Sequence, residues 1–471
     1  MRSAKPTAVV VCLWLLVAAA LVAPPPARAA ETPINEQLTE SSGWTPILGG
    51  GDHVFVRFGR DAAFGVMWGL ANNTNYVTLI AIKARYLGQV HVVENGTEVR
   101  EFPLRVYTVY AVRLEDIFEF SDVDGDGVVN YTRTDNGVDY TTYQDREPIY
   151  RRAPLKTSWT PTAVIRGNDT VTGERTWDFN VSAMNLRYFR VNATSTPPGG
   201  ARLDRVTFSF HLAARLVRVD NATIAQYRVE VGQNGTAVTG VSRLEDLRSN
   251  GTVARYRVRW GQMFEGWDFD PQDTVNPRLS LEMHAIVGNF LPADLARWVA
   301  RFLSRASEDG RATFQDASGT VQATNTTGSY SVPRRLTTPA IDFDGNWTRI
   351  GRLTWVSTAT VDGNPTPIYA QVQGARRLAF VGESGWVYVG FILLAGITYP
   401  GGNVIQHDPE VSAEAFLVAT VSGPAPAGFP LGLALVLLIV AIVAVVVILF
   451  MVRSGRKGKV PPPPEPPPEG P

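Results

Sequence analysis

Apolar and polar residues alternate along several segments of the chain. The segments 206–212, 225–231, 252–260 and 279–285 each place apolar side chains at every second position, with polar side chains between them. A period of two is typical of β-strands that have one buried and one solvated face. Gly, Asn and Pro separate these segments, as hairpin turns require. The pattern therefore predicts a mostly β protein, with one or more antiparallel β-sandwich-like domains.

Residues 292–306 follow a helical period instead. Pro292 suits the first turn of a helix. Apolar residues then fall on one face and arginines on the other: Leu295, Trp298, Val299, Phe302 and Leu303 against Arg297, Arg301 and Arg305. We predict one amphipathic helix, packed on the side of a sheet or lying on a membrane surface. A second apolar segment, 386–399, is too short to span a bilayer, and its β-branched residues predict a buried strand or hairpin.

Residues 429–452 form an uninterrupted apolar segment without charge. As a helix, this segment would be about 36 Å long, which is enough to cross a hydrocarbon core of about 30 Å with some tilt. Basic residues follow directly and favour the cytoplasmic side of a membrane, namely Arg453, Arg456, Lys457 and Lys459. We predict a single-pass transmembrane helix in the cell membrane. The ectodomain before it lies outside, and a basic, then Pro-rich tail (453–471) lies in the cytoplasm.

The N-terminal residues 1–29 have the features of a secretory signal peptide. A basic start precedes an apolar stretch at 8–23, and Ala-Arg-Ala at 27–29 fits the small-x-small cleavage rule. An uncleaved anchor is the alternative interpretation. Both interpretations direct the bulk of the chain out of the cell.

The ectodomain has about 400 residues, which suggests two or three domains of about 150 residues each. We predict a β-rich domain at 30–200 with an Asp-rich loop, a second β-rich domain at 201–421 with the helix, and a linker at 422–428. The formal charge of the whole chain is zero, and that of the ectodomain alone is about −5. No basic stripe indicates a nucleic-acid partner.

Eleven N-x-[ST] sequons lie in the ectodomain, more than its content of Asn, Ser and Thr predicts by chance. They predict exposed positions that carry N-linked glycans. The sequon residues are Asn72, Asn95, Asn130, Asn168, Asn180, Asn192, Asn221, Asn234, Asn250, Asn325 and Asn346. The only cysteine, Cys12, lies in the signal peptide, so no disulfide stabilises the mature chain. In this layout the chain resembles uncharacterised archaeal cell-surface proteins that have a signal peptide, a β-rich ectodomain and a C-terminal transmembrane anchor. The resemblance implies no activity.

The segment 122–130, DVDGDGVVN, is the strongest chemical motif of the chain. Carboxylates at positions 1, 3 and 5 of a loop converge on one point, and a hard cation such as Ca²⁺ takes six to eight oxygen ligands. Gly at position 6 permits a sharp turn, and Val at position 8 supplies an apolar contact. The segment resembles the calcium loops of EF-hand and dockerin modules. That resemblance implies side-chain ligands at Asp122, Asp124, Asp126 and Asn130, and a backbone carbonyl ligand at Val128.

The resemblance ends after nine residues. Position 12 is Arg133 where an acidic ligand is expected, and Asp135 or Asp139 would replace it only in a longer loop. A polar turn held by Asp side chains is the alternative interpretation. Two further acidic segments, 268–273 and 342–346, offer weaker cation sites or ordinary Asp-rich turns.

Enzyme signatures are weak in this chain. The five histidines are isolated, and we find no H-E-x-x-H motif, no G-x-S-x-G elbow and no phosphate-binding glycine loop. We expect a non-enzymatic, membrane-anchored surface glycoprotein that serves the cell envelope, adhesion or extracellular binding. Its expected partners are envelope proteins or surface polysaccharide. The alternative is a membrane-anchored extracellular enzyme that acts on polysaccharide through two carboxylates paired only in space. A solute-binding receptor is a third possibility.

Overall fold

The computed structural model describes residues 52–58, 62–69, 76–129, 131–133, 140–142, 147–189, 191, 200–224, 226–231, 238–292, 311–324, 334–344, 349–381 and 386–417. The predicted signal peptide, linker, transmembrane helix and cytoplasmic tail lie outside these residues. The predicted helix 292–306 also lies outside them, except for Pro292, which is the last residue of a strand. Within the described residues, no helix is both long enough and apolar enough to cross a membrane.

The described residues form 26 β-strands. In chain order they are β1 (Asp52–Phe58), β2 (Ala62–Gly69), β3 (Thr78–Glu94), β4 (Thr97–Ser121), β5 (Tyr131–Arg133), β6 (Tyr140–Thr142), β7 (Ile149–Pro154), β8 (Thr160–Pro161), β9 (Ile165–Asp169), β10 (Glu174–Arg187), β11 (Arg202–Ile224), β12 (Gln226–Val231), β13 (Val238–Arg243), β14 (Leu247–Glu265), β15 (Pro277–Pro292), β16 (Arg311–Asp316), β17 (Gly319–Thr324), β18 (Arg334–Arg335), β19 (Ala340–Asp344), β20 (Arg349–Thr354), β21 (Thr358–Val361), β22 (Asn364–Pro367), β23 (Tyr369–Val381), β24 (Trp386–Pro400), β25 (Val404–His407) and β26 (Glu410–Leu417).

Most of these strands belong to two large sheets. The first sheet follows the order β1-β2-β3-β4-β15-β24-β23-β18, with β7, β12 and β13 beside this path. The second follows β17-β16-β19-β20-β26-β14-β11-β10-β8, with β9, β21, β22 and β25 beside it. Neighbouring strands are antiparallel except for β12 and β3. The predicted mostly β, antiparallel architecture is therefore confirmed. Each sheet combines strands from before and after residue 200, so the predicted domain division does not coincide with the division between the sheets.

Aromatic side chains of the two sheets meet in one hydrophobic core. Phe64 on β2 stacks on Tyr256 on β14, with ring centroids 4.7 Å apart. Tyr110 on β4 contacts Phe343 on β19 at a centroid distance of 4.8 Å. Such aromatic pairs contribute about 0.5–1.5 kcal/mol beyond the burial of their area. The two sheets thus stabilise each other through large side chains that only the folded chain brings together.

The predicted strands at 206–212, 252–260 and 279–285 are confirmed as parts of β11, β14 and β15, and 386–399 is confirmed as β24. In the predicted segment 206–212 of β11 the alternating apolar positions are buried, as predicted. In β15 the prediction of a solvated face is wrong, because Ser280, Glu282 and His284 are 0%, 1% and 9% exposed. These polar side chains point away from the shared core, on what we call the outer face of the first sheet. Neighbouring polar groups and the Asp-rich loop cover that face.

Candidate metal centre

The Asp-rich loop follows directly after β4 and folds around its own carboxylates. The Gly127 N–H donates to Oδ1 of Asp122 at 3.2 Å. The Asp126 N–H donates to Oδ1 of Asp124 at 3.0 Å, and the Val128 N–H donates to Oδ1 of Asp126 at 2.6 Å. Each carboxylate therefore fixes a backbone group further along the loop, as Asp side chains do in turns. Asp122 is buried, Asp126 is half-buried and Asp124 is exposed.

Two glycines give the loop its shape. Gly125 and Gly127 have φ angles of 77° and 74°, in the left-handed region that favours glycine. A Cβ atom at Gly127 would overlap the ring of Tyr369, whereas one at Gly125 would meet nothing within 4 Å. Position 6 of the motif therefore needs glycine for two reasons, the backbone angle and the close approach of Tyr369.

The end of the loop is fastened to the outer face of the first sheet. Val129 N–H donates to Oε1 of Gln371 at 3.0 Å, and Nε2 of Gln373 donates to the Val129 carbonyl at 2.5 Å. The Val129 side chain is fully buried in a small apolar cluster with Phe118, Phe120 and Val191. The apolar contact expected at position 8 is therefore present, and it holds the loop against β4.

Groups from the start of β15 hold Asp122 in place. Nδ2 of Asn276 donates to Oδ2 of Asp122 at 2.9 Å, and Nε of Arg278 donates to the same oxygen. The Arg278 guanidinium also lies 5.0 Å from the ring centroid of Tyr369. Because Oδ1 of Asp122 accepts the Gly127 N–H, both oxygens have partners. A carboxylate oxygen has two lone pairs, so Oδ2, which accepts two hydrogen bonds, is fully occupied, whereas Oδ1 keeps one lone pair for coordination.

A glutamate from outside the motif completes the acidic cluster. One carboxylate oxygen each of Asp122, Asp124 and Glu147 lie within 4.8 Å of one another. Glu147 is fully buried, and its Oε1 accepts the Val123 N–H at 3.0 Å. Its Oε2 is buried and has no hydrogen-bond partner within the described part of the chain. A buried oxygen without a donor is costly, and a bound cation would satisfy it.

The electrostatics of the cluster favour a positive charge. Burial raises the pKa of Glu147 from 4.5 to about 8; the Val123 N–H lowers this pKa, while the charges of Asp124, Asp122 and Asp126 raise it. The pKa of Asp126 is also raised, first by burial and then by Asp124 and Asp122. Like charges this close repel each other unless a proton or a cation neutralises them. The all-oxygen donor set suits a hard cation of the calcium or magnesium type.

The structure distributes the predicted ligands unevenly. Asp122 and Asp124 belong to the three-residue cluster. Asp126 is not part of the cluster, but it is close enough for its charge to raise the pKa of Glu147. Val128 lies at the end of the loop with its side chain buried. Asn130, Asp135 and Asp139 lie outside the described residues, and Arg133 is the last residue of β5.

Sequence reasoning missed Glu147, and its local sequence, Arg-Glu-Pro before a short strand, carries no metal-binding signal. Its role becomes apparent only in the folded chain, where Glu147 accepts the Val123 N–H and lies beside Asp122 and Asp124.

The other acidic segments are occupied by protein partners. Arg151 pairs with Asp268 at 2.7 Å and with Asp270 at 3.7 Å, and Oγ of Ser121 donates to Asp273. Arg352 lies 3.6 Å from Asp342. Among the described residues, neither of these acidic segments contributes to a group of three potential metal ligands. The first segment therefore fits the interpretation as an ordinary Asp-rich turn, whereas residues 342–344 of the second belong to strand β19 and are not a turn.

Five sequon residues have described side chains, and all five are exposed: Asn95, Asn168, Asn180, Asn221 and Asn250. Asn95 lies with Gly96 in the turn between β3 and β4, and Asn180 lies in β10 on the solvent side of the second sheet. The other six sequon residues, at 72, 130, 192, 234, 325 and 346, have no described side chain. Exposure leaves each of the five accessible for glycan addition.

The acidic cluster of Asp122, Asp124 and Glu147 offers oxygen ligands to a cation. Two of the surface hollows formed by described residues have the following linings. Residues 166–168 and 175–177 line the first, and the second includes a single carboxylate, that of Asp342. Neither hollow offers a pair of facing carboxylates. Comparison with protein-family models, with curated proteins and with solved structures finds no match to this chain.

Proposed function

We propose that this protein is a non-enzymatic, single-pass, membrane-anchored surface glycoprotein. Its N-terminal β-sandwich ectodomain lies outside the cell, and its basic, Pro-rich tail lies in the cytoplasm. In this proposal it serves the cell envelope, adhesion or the binding of an extracellular partner such as an envelope protein or a surface polysaccharide. This location at the cell surface is supported by three features of the sequence, namely the predicted signal peptide, the apolar C-terminal segment and the dense sequons.

The observation that carries the proposal is the exposure of every sequon asparagine whose side chain is described. Glycan transfer needs an accessible Asn, and a glycosylated position has to stay at the surface after folding. The described asparagines outside the sequons, Asn185, Asn276, Asn364 and Asn403, are exposed as well. Exposure therefore supports the accessibility of the five sequons, and the excess of sequons over chance supports selection for glycan addition.

A bound Ca²⁺ ion would stiffen the ectodomain in this proposal. Asp122, Asp124 and Glu147 would supply oxygen ligands, with Asp126, the carbonyl of Val128 and Asn130 as the further ligands implied by the loop resemblance. The cation would neutralise clustered carboxylates and satisfy the free oxygen of Glu147. The cation would connect the loop to Glu147 and so stabilise the ectodomain, as disulfides do in other secreted domains.

The second candidate function, an anchored enzyme acting on polysaccharide, requires two carboxylates about 5–10 Å apart across a groove. The two hollows described above supply at most one carboxylate. Neither of these two hollows meets the requirement, and we rank the enzyme below the glycoprotein because the excess of sequons supports the latter.

The test is expression of the full chain in a host that N-glycosylates its surface proteins. We expect external protease to digest the ectodomain on intact cells, and enzymatic deglycosylation to lower its mass. Asn180→Gln should remove one glycan. Asn185→Gln is the matched control, because Asn185 is exposed but lies outside any sequon. An ectodomain protected from protease on intact cells, or an unmodified Asn180, would contradict the proposal.

A further inference from the structure

A second cluster of metal-ligating groups lies on the hairpin of β3 and β4, at the opposite end of β4 from the acidic loop. A ring nitrogen of His91 and one carboxylate oxygen each of Glu98 and Glu101 lie within 4.8 Å of one another. Nδ1 of His91 is 3.2 Å from Oε2 of Glu98. His91 is half-buried, whereas both glutamates are exposed, so the cluster is open to solvent on one side.

Strand register explains why these three side chains converge. Glu101 on β4 lies directly opposite His91 on β3. A β-bulge between Val92 and Val93 then places Glu98 opposite Val93, two residues beyond His91 on the same face. Directly opposed side chains have Cβ atoms about 4.5–5.5 Å apart, within reach of one metal ion. Without the bulge, Glu98 would point to the other face of the hairpin.

The donor set differs in kind from that of the acidic loop. One imidazole and two carboxylates form a mixed nitrogen and oxygen site, and imidazole nitrogen suits zinc and its neighbours among the divalent transition metals rather than calcium. Three protein ligands leave coordination positions for water or an external ligand. We propose that His91, Glu98 and Glu101 bind a divalent transition-metal ion of the zinc type at the surface of the first sheet.

A simple ion pair between His91 and Glu98 does not account for the whole arrangement. It leaves the convergence of Glu101 without a role. Nε2 of His91 is buried and has no hydrogen-bond partner among the described residues, so the groups at Nδ1 alone orient the ring. A metal ion between the ring and the carboxylates would contact all three side chains and would give Glu101 a role.

The chain contains a matched comparison for this site. Nδ1 of His211 lies 2.6 Å from Oδ1 of Asp178 on the second sheet. In the described part of the chain, that pair has no third metal-ligating side chain close enough to complete a site. It therefore represents a surface His–carboxylate pair without the third ligand on which the proposal depends.

The experiment is a Zn²⁺ titration of the purified full chain by calorimetry, in the presence of excess Ca²⁺ to occupy the acidic loop. Co²⁺ absorption spectroscopy would report coordination by a ring nitrogen. We expect stoichiometric binding that His91→Gln and Glu101→Gln each weaken more than about tenfold, while His211→Gln leaves it unchanged. Glu101→Gln is decisive because it keeps the His91–Glu98 pair intact.

Equal Zn²⁺ affinity of parent and both variants, or no binding by a folded parent, would overturn the proposal. Circular dichroism establishes that each variant is folded. Asp124→Asn separates this site from the acidic loop, since it should weaken Ca²⁺ binding and leave Zn²⁺ binding unchanged. Failure at the hairpin is therefore distinguishable from failure of the calcium proposal.

Discussion

Glu147 accepts a hydrogen bond from the backbone N–H of Val123 at 3.0 Å, across 24 residues of chain. This contact brings a buried carboxylate from the segment before β7 to the beginning of the Asp-rich loop. Its second oxygen faces the cluster without a donor. The loop is therefore closed by a residue that no local motif contains, and the calcium proposal depends on that residue as much as on the motif.

Replacing Glu147 by Gln tests this dependence. The amide keeps an acceptor for the Val123 N–H but removes the charge that a cation would bind. At a Ca²⁺ concentration about 100 times Kd, ligand binding stabilises the parent by about 2.7 kcal/mol, whereas a tenfold weaker site gains about 1.4 kcal/mol. Thermal unfolding with Ca²⁺ and with chelator measures both values. Asp268→Asn is the control, because Asp268 is an exposed carboxylate that pairs with Arg151. A parent insensitive to Ca²⁺ would leave the loop as a polar turn.

The two loop glycines should respond differently to alanine. Gly125→Ala places a side chain in the left-handed region, at a cost of about 1–2 kcal/mol. Gly127→Ala adds overlap with the Tyr369 ring to the same strain, so its cost should exceed that of Gly125→Ala by about 1–3 kcal/mol. Urea unfolding of the two variants under identical conditions measures the difference. Equal costs would mean that Tyr369 moves aside freely and does not hold the loop.

Periodicity predicted the strands well where one face of a strand is apolar. The segment 206–212 was predicted correctly because each buried position is hydrophobic and the residues between them are polar. The buried positions are Val206, Phe208, Phe210 and Leu212. The same rule failed at β15, where Glu282 and His284 are buried although polar. The two side chains contact each other, but His284 also contacts Glu115 and Arg113 of β4, and Arg113 lies 171 residues earlier, so no local window contains the whole reason for their burial.

The candidate sites show the same limit. Hydrogen bonds within residues 122–128 follow from the spacing of Asp and Gly, and the motif was identified from that spacing. Glu147 depends on how β4, the loop and β7 are packed. The hairpin cluster at His91 depends on a β-bulge that the sequence does not mark. Sequence therefore indicated the loop, whereas register and packing supplied the residues that complete each cluster.

Glu119 should make stability fall as pH rises. Burial raises its pKa from 4.5 to about 7, against the Trp267 Nε1–H and the Asp270 N–H, which donate to its two oxygens at 2.8 Å. Between pH 4.5 and about 7 the folded state binds the proton that the unfolded state has lost, so the free energy of unfolding decreases across this window. The decrease amounts to about 3 kcal/mol.

Denaturant unfolding of the parent and of Glu119→Gln at pH 5 and pH 8 isolates this contribution. Other buried carboxyls also make the free energy of unfolding depend on pH. The contribution of Glu119 is therefore the difference between the pH dependence of the parent and that of the variant. We expect the variant to lose about 2.5 kcal/mol less than the parent between the two pH values. Parallel pH profiles would show that Glu119 is ionised throughout.

The pKa of His284 should be raised in the folded protein. Its Nδ1 lies 2.9 Å from Oε1 of Glu115, and its Nε2 lies 2.9 Å from Oε1 of Glu282. Burial lowers its pKa, but the charges and hydrogen bonds of the two glutamates raise it more, so the pKa lies above 6.5. The resulting stabilisation is fully present below pH 6.5 and is lost as pH rises through the folded pKa.

Two measurements check this. The NMR titration of the His284 ring should have a midpoint above 6.5. His284→Gln removes the cation between two buried carboxylates and should destabilise the protein by about 3–5 kcal/mol at pH 6. His211→Gln, which breaks a far more exposed His–Asp pair, should cost at most about 1 kcal/mol. Similar costs for the two histidine variants would mean that Arg113, which also pairs with Glu115, neutralises the buried carboxylates without help from His284.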